Sequence, residues 1–299
     1  MRSLRHRALP LLAMAALLAP SPASAQADRR LDDLKDEVLD MVQDDAKMVQ
    51  EIVDMLFSFG ELGFQEFETQ RYLTGILEDH GFEIELGVAG MPSAWTARWS
   101  NGSGSPVIAL GSDVDGIPQS NQKPGVGYRD PILSMAPGHG EGHNSGQAVN
   151  IVAALNVQEL MEREDIDGTL LIWPGIAEEQ LGSKAFFVRD GVFDGVDVNL
   201  FTHVSSNFNT TWGQGGGNAL VSVQFRFEGE TAHSAGSPWR GRSALDAVML
   251  MAQAWEFKRE HLRPAERSHY IIVDGGDQPN VVPQRGTIWF FLREINYDL

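Results

Sequence analysis

The chain has 299 residues, of which 42% are hydrophobic, and it carries a formal net charge of −18 at pH 7. This length is enough for two domains and a substantial buried core. The acidity excludes a nucleic-acid partner, because the neutralisation of phosphates needs clustered Lys and Arg. The chain has no cysteine, so no disulfide holds it together and any metal site must use nitrogen and oxygen ligands.

Residues 1–25 have the pattern of a secretory signal peptide. Arg2, Arg5 and Arg7 form a basic region, residues 8–18 are mostly apolar, and Ala23-Ser24-Ala25 fits the small-residue cleavage pattern. An uncleaved membrane anchor is the weaker interpretation, since the apolar run is too short to span a bilayer. We therefore expect cleavage after Ala25, a periplasmic or secreted protein, and no membrane association after cleavage.

The first part of the chain alternates helical and strand patterns. Residues 31–58 carry apolar side chains at helical spacing, the segment 59–66 breaks the helix, and a second helix follows over Thr69–Leu77. Strands are predicted at Ser93–Trp99 and Val107–Leu110.

Polar residues follow three strands at the point where each strand ends. Val107–Leu110 leads to Asp113 and Asp115, the strand Thr169–Trp173 leads to Glu178 and Glu179, and Val198–Phe201 leads to His203. A helix is predicted between the last two strands, at about residues 182–189. This alternation predicts an α/β fold, a mostly parallel sheet with helices on both faces. Because parallel strands end at the same edge of a sheet, the recurrence of Asp, Glu and His there favours a functional site.

A glycine-rich segment at residues 138–146 holds His139, Glu141 and His143 within five positions. Imidazole and carboxylate are the usual ligands of divalent zinc and manganese, and glycine lets the backbone crowd against an ion. A helix is predicted directly after it, from Gln147. The pattern favours a metal loop, with a flexible surface loop holding two incidental histidines as the alternative.

The pattern changes after residue 213, where Gln214-Gly215-Gly216-Gly217 is typical of a hinge. We predict a first domain at residues 26–213 and a second, two-layer α+β domain at residues 214–299. The elements predicted for the second domain are strand Val221–Phe227, helix Ser243–Phe257, strand His269–Val273 and strand Gly286–Arg293. The period-two alternation of the first of these is typical of an antiparallel strand with one exposed face.

The Glu178-Glu179 pair can divide the tasks of a hydrolytic metal centre. Such a centre needs anionic or imidazole ligands and a base that accepts the proton of a water. The side chains of adjacent residues diverge, so one carboxylate can bind metal while the other faces the water. An exposed acidic turn is the alternative, and the position directly after a buried strand favours function.

Five motifs in one order carry a family resemblance. They are Ser-Asp-Val-Asp-Gly-Ile-Pro, Gly-His-Gly-Glu-Gly-His-Asn, Ala-Glu-Glu, Thr-His, and Thr-Ala-His-Ser-Ala-Gly-Ser-Pro-Trp-Arg-Gly-Arg-Ser-Ala-Leu-Asp-Ala. Together they resemble the amidohydrolase branch of the aminoacylase/carboxypeptidase-type metallopeptidases (metallopeptidase family twenty). Aminobenzoyl-glutamate hydrolases and indole-acetyl-amino-acid hydrolases are the most similar groups. The resemblance covers residues 45–293.

The resemblance implies a catalytic domain with one or two divalent metal ions, manganese or zinc, and an inserted dimerisation or lid domain that forms a homodimer. The implied activity is hydrolysis, by a metal-activated water, of the amide bond in N-acyl or N-aroyl amino acids or small peptides. The metal ligands implied by position are Glu141, His143, Glu179 and His203. The other implied roles are Glu178 as general base, Asp115 as support for a ligand, His233 as the oxyanion-stabilising lid residue, and Asn280 as a lid residue near the substrate.

Other roles stay open at this stage. Asp113 lies where related branches have a ligand histidine, and His139 either binds metal or structures its loop. Arg240 is a weak candidate for contact with a substrate carboxylate.

The chain departs from the family pattern at two points. Glu141 replaces the cysteine usual in this branch, and a carboxylate there favours manganese or zinc and can bridge two cations. The segment that carries the family's final ligand histidine is absent from the sequence, which therefore looks truncated, with the lid domain incomplete. We accordingly expect impaired metal binding and poor solubility for the chain as written. The alternative function is a catalytically impaired binding or structural homologue.

Overall fold

The computed structural model describes residues 22–180, 182–213 and 218–296. The chain divides into two compact units, the first ending at Asn207 and the second beginning at Phe208. Each unit is described by itself. Most of the predicted signal peptide and the predicted hinge at residues 214–217 lie outside the described residues. The predicted domain limits at residues 26, 213 and 214 stay predictions.

The first unit contains five α-helices and five strands among its described residues. The helices are α1 (Pro22–Asp44), α2 (Ala46–Phe59), α3 (Phe67–Asp79), α4 (Gly146–Arg163) and α5 (Ser183–Arg189). The strands are β1 (Glu83–Leu86), β2 (Trp95–Asn101), β3 (Val107–Asp113), β4 (Gly168–Gly175) and β5 (Val198–Phe201). No helix in the described part of the chain is both long and apolar enough to cross a membrane.

The five strands form one sheet in the order β1-β2-β4-β3-β5. β4, β3 and β5 are parallel neighbours, whereas β2 is antiparallel to both β1 and β4. Four strands therefore run in one direction and β2 alone runs in the other, which confirms the predicted mostly parallel sheet. All eight residues of β4 are buried, so both faces of this central strand are covered.

An apolar core fills the space between the helices and the sheet. Its fully buried members include Ile52, Leu56, Leu73, Leu77, Trp95, Ile151 and Ile172. Beside them, the indole of Trp173 contacts the rings of Phe187, Phe193 and Phe201. This packing fixes the carboxyl end of β4, where the predicted site residues begin.

Two local features differ from the sequence prediction. The helical pattern over residues 31–58 forms two helices, because the backbone leaves the helical conformation at Asp45, where ψ is 8°. The Asp45 carboxylate accepts a hydrogen bond from Asn156 of α4, which holds the break. Strand β1 was not predicted, since its Glu-Ile-Glu-Leu sequence lies at a sheet edge and buries little apolar surface.

The second unit is a three-stranded antiparallel sheet with a helix on one face. Its elements are β6 (Ala219–Glu228), α6 (Ala244–Arg259), β7 (Arg267–Asp274) and β8 (Arg285–Glu294), and the strand order is β6-β8-β7. Ser243 caps α6 by accepting a hydrogen bond from the backbone N–H of Asp246. Val248 and Ala252 of α6 pack on Ile288 and Phe290 of β8. This is the predicted two-layer α+β arrangement.

We predict opposite effects for two glycine-to-alanine substitutions in the first unit. A Cβ at Gly111 would lie 2.2 Å from two ring carbons of buried Trp173, so Gly111→Ala should lower the free energy of unfolding by about 1–3 kcal/mol. A Cβ at Gly75, inside α3, meets nothing within 4 Å. Gly75→Ala should therefore raise the free energy of unfolding by about 0.5–1 kcal/mol, the usual gain inside a helix. Urea unfolding measures both, and equal effects would contradict the packing described.

Candidate metal centre

The carboxyl ends of β3, β4 and β5 meet at one edge of the sheet. Asp113 pairs with Gly175, and Gly111 pairs with Phe201, so the segments that follow these strands start side by side. The sequence-predicted residues Asp113, Asp115, Glu178, Glu179 and His203 all lie at this edge or in the turns that leave it. The glycine-rich loop enters α4 at the same place.

Two groups of donor atoms in the described part of the chain are close enough to hold a metal ion. One group consists of Asp113, His143 and His203, and the other of Glu141, His143 and Glu179. Within each group the ligand atoms all lie within 4.8 Å of one another. His143 is common to both groups. Glu141 also lies near the first group, since its Oε1 is 3.7 Å from His203 Nε2.

The imidazoles of His143 and His203 face each other through their Nε2 atoms, which are 3.3 Å apart. On each ring, Nδ1 is bound to a backbone carbonyl, of Asp115 at 3.0 Å and of Val204 at 2.8 Å. A carbonyl oxygen only accepts hydrogen bonds, so Nδ1 carries the hydrogen on both rings. The two Nε2 atoms then face each other as acceptors, and a shared proton or a cation must hold them together.

Asp115 is a buried support for this pair of donor groups, with a relative exposure of 1%. Its Oδ1 lies 3.3 Å from His143 Nδ1, and its Oδ2 accepts the backbone N–H of Glu179 at 3.0 Å. Burial opposes protonation of His143, but the hydrogen bond to Asp115 and the charges of Asp113 and Asp115 raise its pKa to about 9. In the absence of metal, the protonated ring of His143 is therefore the positive charge that compensates Asp113 and Asp115.

The carboxyl groups of Glu141 and Glu179 are hydrogen-bonded to each other. Burial and the neighbouring Glu141 raise the pKa of Glu179 to about 8, whereas the hydrogen bond with Glu179 lowers the pKa of Glu141. Oε1 of Glu179 is buried and receives no hydrogen bond from an N–H donor among the described residues. One proton thus reduces the negative charge of the two carboxyl groups. A divalent ion at the same place would compensate that charge instead.

Asp113 is buried and paired with Lys184, a residue that the sequence did not single out. Lys184 Nζ lies 2.8 Å from Oδ1 and 2.9 Å from Oδ2 of Asp113, and 4.4 Å from the ring centroid of Phe201. Burial raises the pKa of Asp113, while the Lys184 charge opposes this shift. The two residues are 71 positions apart, and no local pattern around Lys184 marks it as part of the site.

The glycine-rich loop is fastened to α2. His139 Nε2 binds the carbonyl of Leu56 at 3.0 Å, and the Asn144 side chain donates to the carbonyl of Val53. His139 is in neither donor group of the described residues, and burial lowers its pKa to about 4. Gly142, between Glu141 and His143, has a φ of +105°, a conformation that favours glycine.

Glu178 lies beside both donor groups without belonging to either of them. Its charge is one of the smaller causes that raise the pKa of Asp113, after burial. The Glu178 side chain is half-buried and makes no hydrogen bond or ion pair in the described part of the chain. The charge of Glu178 thus acts on Asp113 and on Glu179, one member of each donor group.

These observations show that the residues present fit divalent metal. Nitrogens that bind zinc at about 2.0–2.1 Å in tetrahedral geometry lie roughly 3.3 Å apart, which matches the separation of the two Nε2 atoms. His143 and His203 would supply nitrogen ligands, and Glu141 and Glu179 would supply oxygen ligands. The Asp115–His143 contact is the kind of support that orients a metal-binding imidazole. The role of Glu141 as a bridge stays a prediction.

The remaining predicted site residues lie in the second unit. His233 pairs with Val281 in an isolated β-bridge, and the backbone N–H of Ser234 donates to the carbonyl of Asn280, so His233 and Asn280 are close. Nδ1 of His233 accepts hydrogen bonds from the backbone N–H groups of Ala235 and Gly236, each at 3.2 Å. The ring hydrogen is therefore on Nε2. Arg240 is exposed.

Comparisons with known proteins agree with this architecture. Residues 216–298 match the family model described as the peptidase dimerisation domain, M20_dimer. One of the subunits of p-aminobenzoyl-glutamate hydrolase from Escherichia coli (strain K12) is 35% identical over 260 residues, which cover 85% of this chain and 52% of that protein. The chain thus spans about half the length of this curated relative.

Two crystal structures show a similar fold. The aminobenzoyl-glutamate utilization protein from Klebsiella pneumoniae has a TM-score of 0.59 at 18% identity, over 87% of this chain and 70% of that one. The Bacillus subtilis YXEP protein, described as a dinuclear metal binding peptidase from the M20 family, has a TM-score of 0.50 at 19% identity, over 85% of this chain and 66% of that one. The chain is therefore a homologue of M20 peptidases and hydrolases, and its residues 216–298 match the peptidase dimerisation domain.

Proposed function

We propose that this protein is a metal-dependent amidohydrolase that cleaves the amide bond of N-acyl or N-aroyl amino acids. The observation that supports this most is the convergence of two donor groups on His143, with Glu178 near enough for its charge to act on a member of each group. The same edge of the sheet thus offers ligands for a divalent ion and a separate proton acceptor. These are the parts that hydrolysis of an amide needs.

The residues of the chain divide the reaction as follows. A bound divalent ion supplies Lewis-acid polarisation and lowers the pKa of a bound water. Glu178 accepts a proton from the attacking water and returns it to the leaving amine. Asp115 keeps the hydrogen of His143 on Nδ1, so that Nε2 would be the nitrogen that holds an ion. Lys184 neutralises Asp113 and prevents an uncompensated buried charge beside the ligands.

For the substrate, we propose an aroyl amino acid of the aminobenzoyl-glutamate kind. The support is the relative from E. coli, which carries that activity in its name and is 35% identical. Small peptides are the alternative substrate class, since they contain the same amide bond. Kinetic comparison of p-aminobenzoyl-glutamate with dipeptides distinguishes the two.

We also propose that the second domain forms a homodimer and supplies His233 to the reaction. The match of residues 216–298 to a peptidase dimerisation domain supports dimerisation. Hydrogen bonds from Ala235 and Gly236 leave the ring hydrogen of His233 on Nε2, where it can donate to the oxyanion of the substrate carbonyl. Asn280, held beside His233, would contact the substrate.

A substitution of Glu178 tests the catalytic assignment. Glu178→Gln removes the proton acceptor and no ligand, so we expect turnover of p-aminobenzoyl-glutamate with added Mn²⁺ to fall about 10²–10⁴-fold. Affinity for Mn²⁺, measured by titration calorimetry, should stay close to that of the unsubstituted chain.

The matched control is Glu159→Gln, which changes an exposed glutamate of α4 and should leave turnover unaltered. If the unsubstituted chain binds metal but shows no turnover with any amide substrate, the enzyme assignment is wrong. The alternative of a catalytically impaired binding homologue would then be correct.

Metal affinity should rise with pH between 6 and 8. Without metal, the His143 pKa of about 9 and the Glu179 pKa of about 8 keep both groups protonated at pH 7, and both must lose a proton to bind an ion. Each displaced proton strengthens binding about tenfold per pH unit. Calorimetry with Mn²⁺ in buffers of different ionisation enthalpy measures the affinity and the proton release together.

Two variants show that this binding occurs at the predicted centre. His143→Ala should abolish tight binding, because His143 belongs to both donor groups. His261→Ala, which changes an exposed histidine of the second unit, should have no effect. An affinity that does not depend on pH would contradict the protonation states described.

We propose that the protein is exported and that residues 1–25 are removed. The basic region, the short apolar run and Ala23-Ser24-Ala25 support this. Expression of the full chain in a Gram-negative bacterium should yield a periplasmic protein whose first residue is Gln26, as shown by N-terminal sequencing. Retention of Met1 on a cytoplasmic product would contradict export.

A further inference from the structure

Glu66 is a buried carboxylate that the proposed reaction does not use. It is 1% exposed and makes no ion pair in the described part of the chain. Its Oε2 accepts a hydrogen bond from the Ser93 hydroxyl, and its Oε1 accepts the backbone N–H of Ala177, both at 2.7 Å. Burial raises its pKa, since two neutral donors replace water only in part. Burial of a carboxylate without an ion-pair partner costs free energy of folding, which suggests that its contact with Ala177 has a function.

Ala177 directly precedes Glu178 and Glu179 in the turn that leaves β4. Its φ is +48°, in the left-handed region that is unfavourable for residues other than glycine. Such a conformation persists only when the surroundings hold it. The hydrogen bond from Ala177 N–H to Glu66 is charge-assisted and is therefore among the stronger contacts that can fix a turn.

A second residue of the segment that carries Glu66 contacts the same turn. A Cβ at Gly63 would lie 2.8 Å from Ala177 Cα, so the backbone at Gly63 lies flat against Ala177. Gly63 and Glu66 therefore both hold the backbone that directly precedes Glu178.

We propose that Glu66 is a positioning residue, which fixes the Ala177 turn and thereby sets where Glu178 and Glu179 point. The proposal rests on the function proposed above, since it assigns Glu66 a task in the same reaction. The Glu66 carboxylate binds Ser93 and Ala177, and in the described part of the chain it has no hydrogen bond to a residue of either donor group. Its effect passes through the backbone of Ala177 to the two carboxylates that follow.

Three substitutions of Glu66 in the full chain separate its possible contributions. Glu66→Gln keeps both contacts, because the amide oxygen can accept from Ala177 and the amide nitrogen can donate to Ser93. Glu66→Asp keeps the charge but is one methylene shorter, so it cannot reach both partners. Glu66→Met removes both contacts at similar volume.

Glu61→Met is the matched control. The Glu61 side chain, in the same segment, accepts the backbone N–H groups of Glu68 and Thr69 at the start of α3 and does not contact the Ala177 turn. Its loss should lower stability without changing the reaction. The readouts are kcat and KM for p-aminobenzoyl-glutamate with Mn²⁺, the Mn²⁺ affinity, and the urea midpoint of each variant.

We expect Glu66→Asp and Glu66→Met to lower kcat about 10²-fold, the usual effect of a misplacement of about 1 Å, with little change in KM. Glu66→Gln should have a kcat within about threefold of that of the unsubstituted chain, since it keeps both hydrogen bonds. Glu61→Met should lower the urea midpoint and leave kcat unaltered. If Glu66→Met does not fold, Glu66→Asp alone decides.

The positioning role is wrong if folded Glu66→Asp keeps full kcat, or if kcat falls equally in Glu61→Met and Glu66→Met. The function proposed above fails in a different way, by absence of turnover in the unsubstituted chain. In that case the Mn²⁺ affinity still tests the positioning of Glu179. Glu66→Asp should weaken Mn²⁺ binding about tenfold and Glu66→Gln should not, and equal affinities would overturn the inference.

Discussion

The buried carboxylate of Asp115 is the contact on which the arrangement of the candidate centre depends. One of its oxygens faces the imidazole of His143, and the other accepts the backbone N–H of Glu179. It thereby joins the glycine-rich loop to the turn after β4. Because His143 belongs to both donor groups, the orientation of a single ring decides whether either group can hold an ion. The position of Asp115 therefore affects the ligand geometry of both donor groups.

The candidate centre brings several carboxylates together, and the groups around them compensate this negative charge only in part. Asp113 is compensated by Lys184, and Asp115 by His143, whereas Glu141 and Glu179 share one proton. Each compensation uses a proton or a lysine where a divalent ion would do the same more completely. Metal binding should therefore relieve repulsion that is already present in the folded chain, which couples metal binding to stability.

The sequence predicted the fold, and which candidate residues lie close together, for one physical reason. Parallel strands end at a common edge, so residues that follow separate strands, such as Asp115, Glu179 and His203, could be placed together without knowledge of any contact. Contacts set by tertiary packing could not be predicted in this way. Lys184 reaches Asp113 over 71 positions and Glu66 reaches Ala177 over 111, and neither pair shares a local pattern.

The chemistry of each unit is arranged within that unit. In the first, backbone carbonyls keep hydrogens on Nδ1 of His143 and His203, so on both rings Nε2 is the nitrogen that would bind an ion. In the second, backbone N–H groups bind Nδ1 of His233, so that its Nε2 is a donor. Opposite backbone groups thus select opposite tautomers of the same side chain. Under the function proposed above, a histidine that binds a cation and one that donates to an oxyanion need no difference in residue type, because the main chain around each one selects the tautomer.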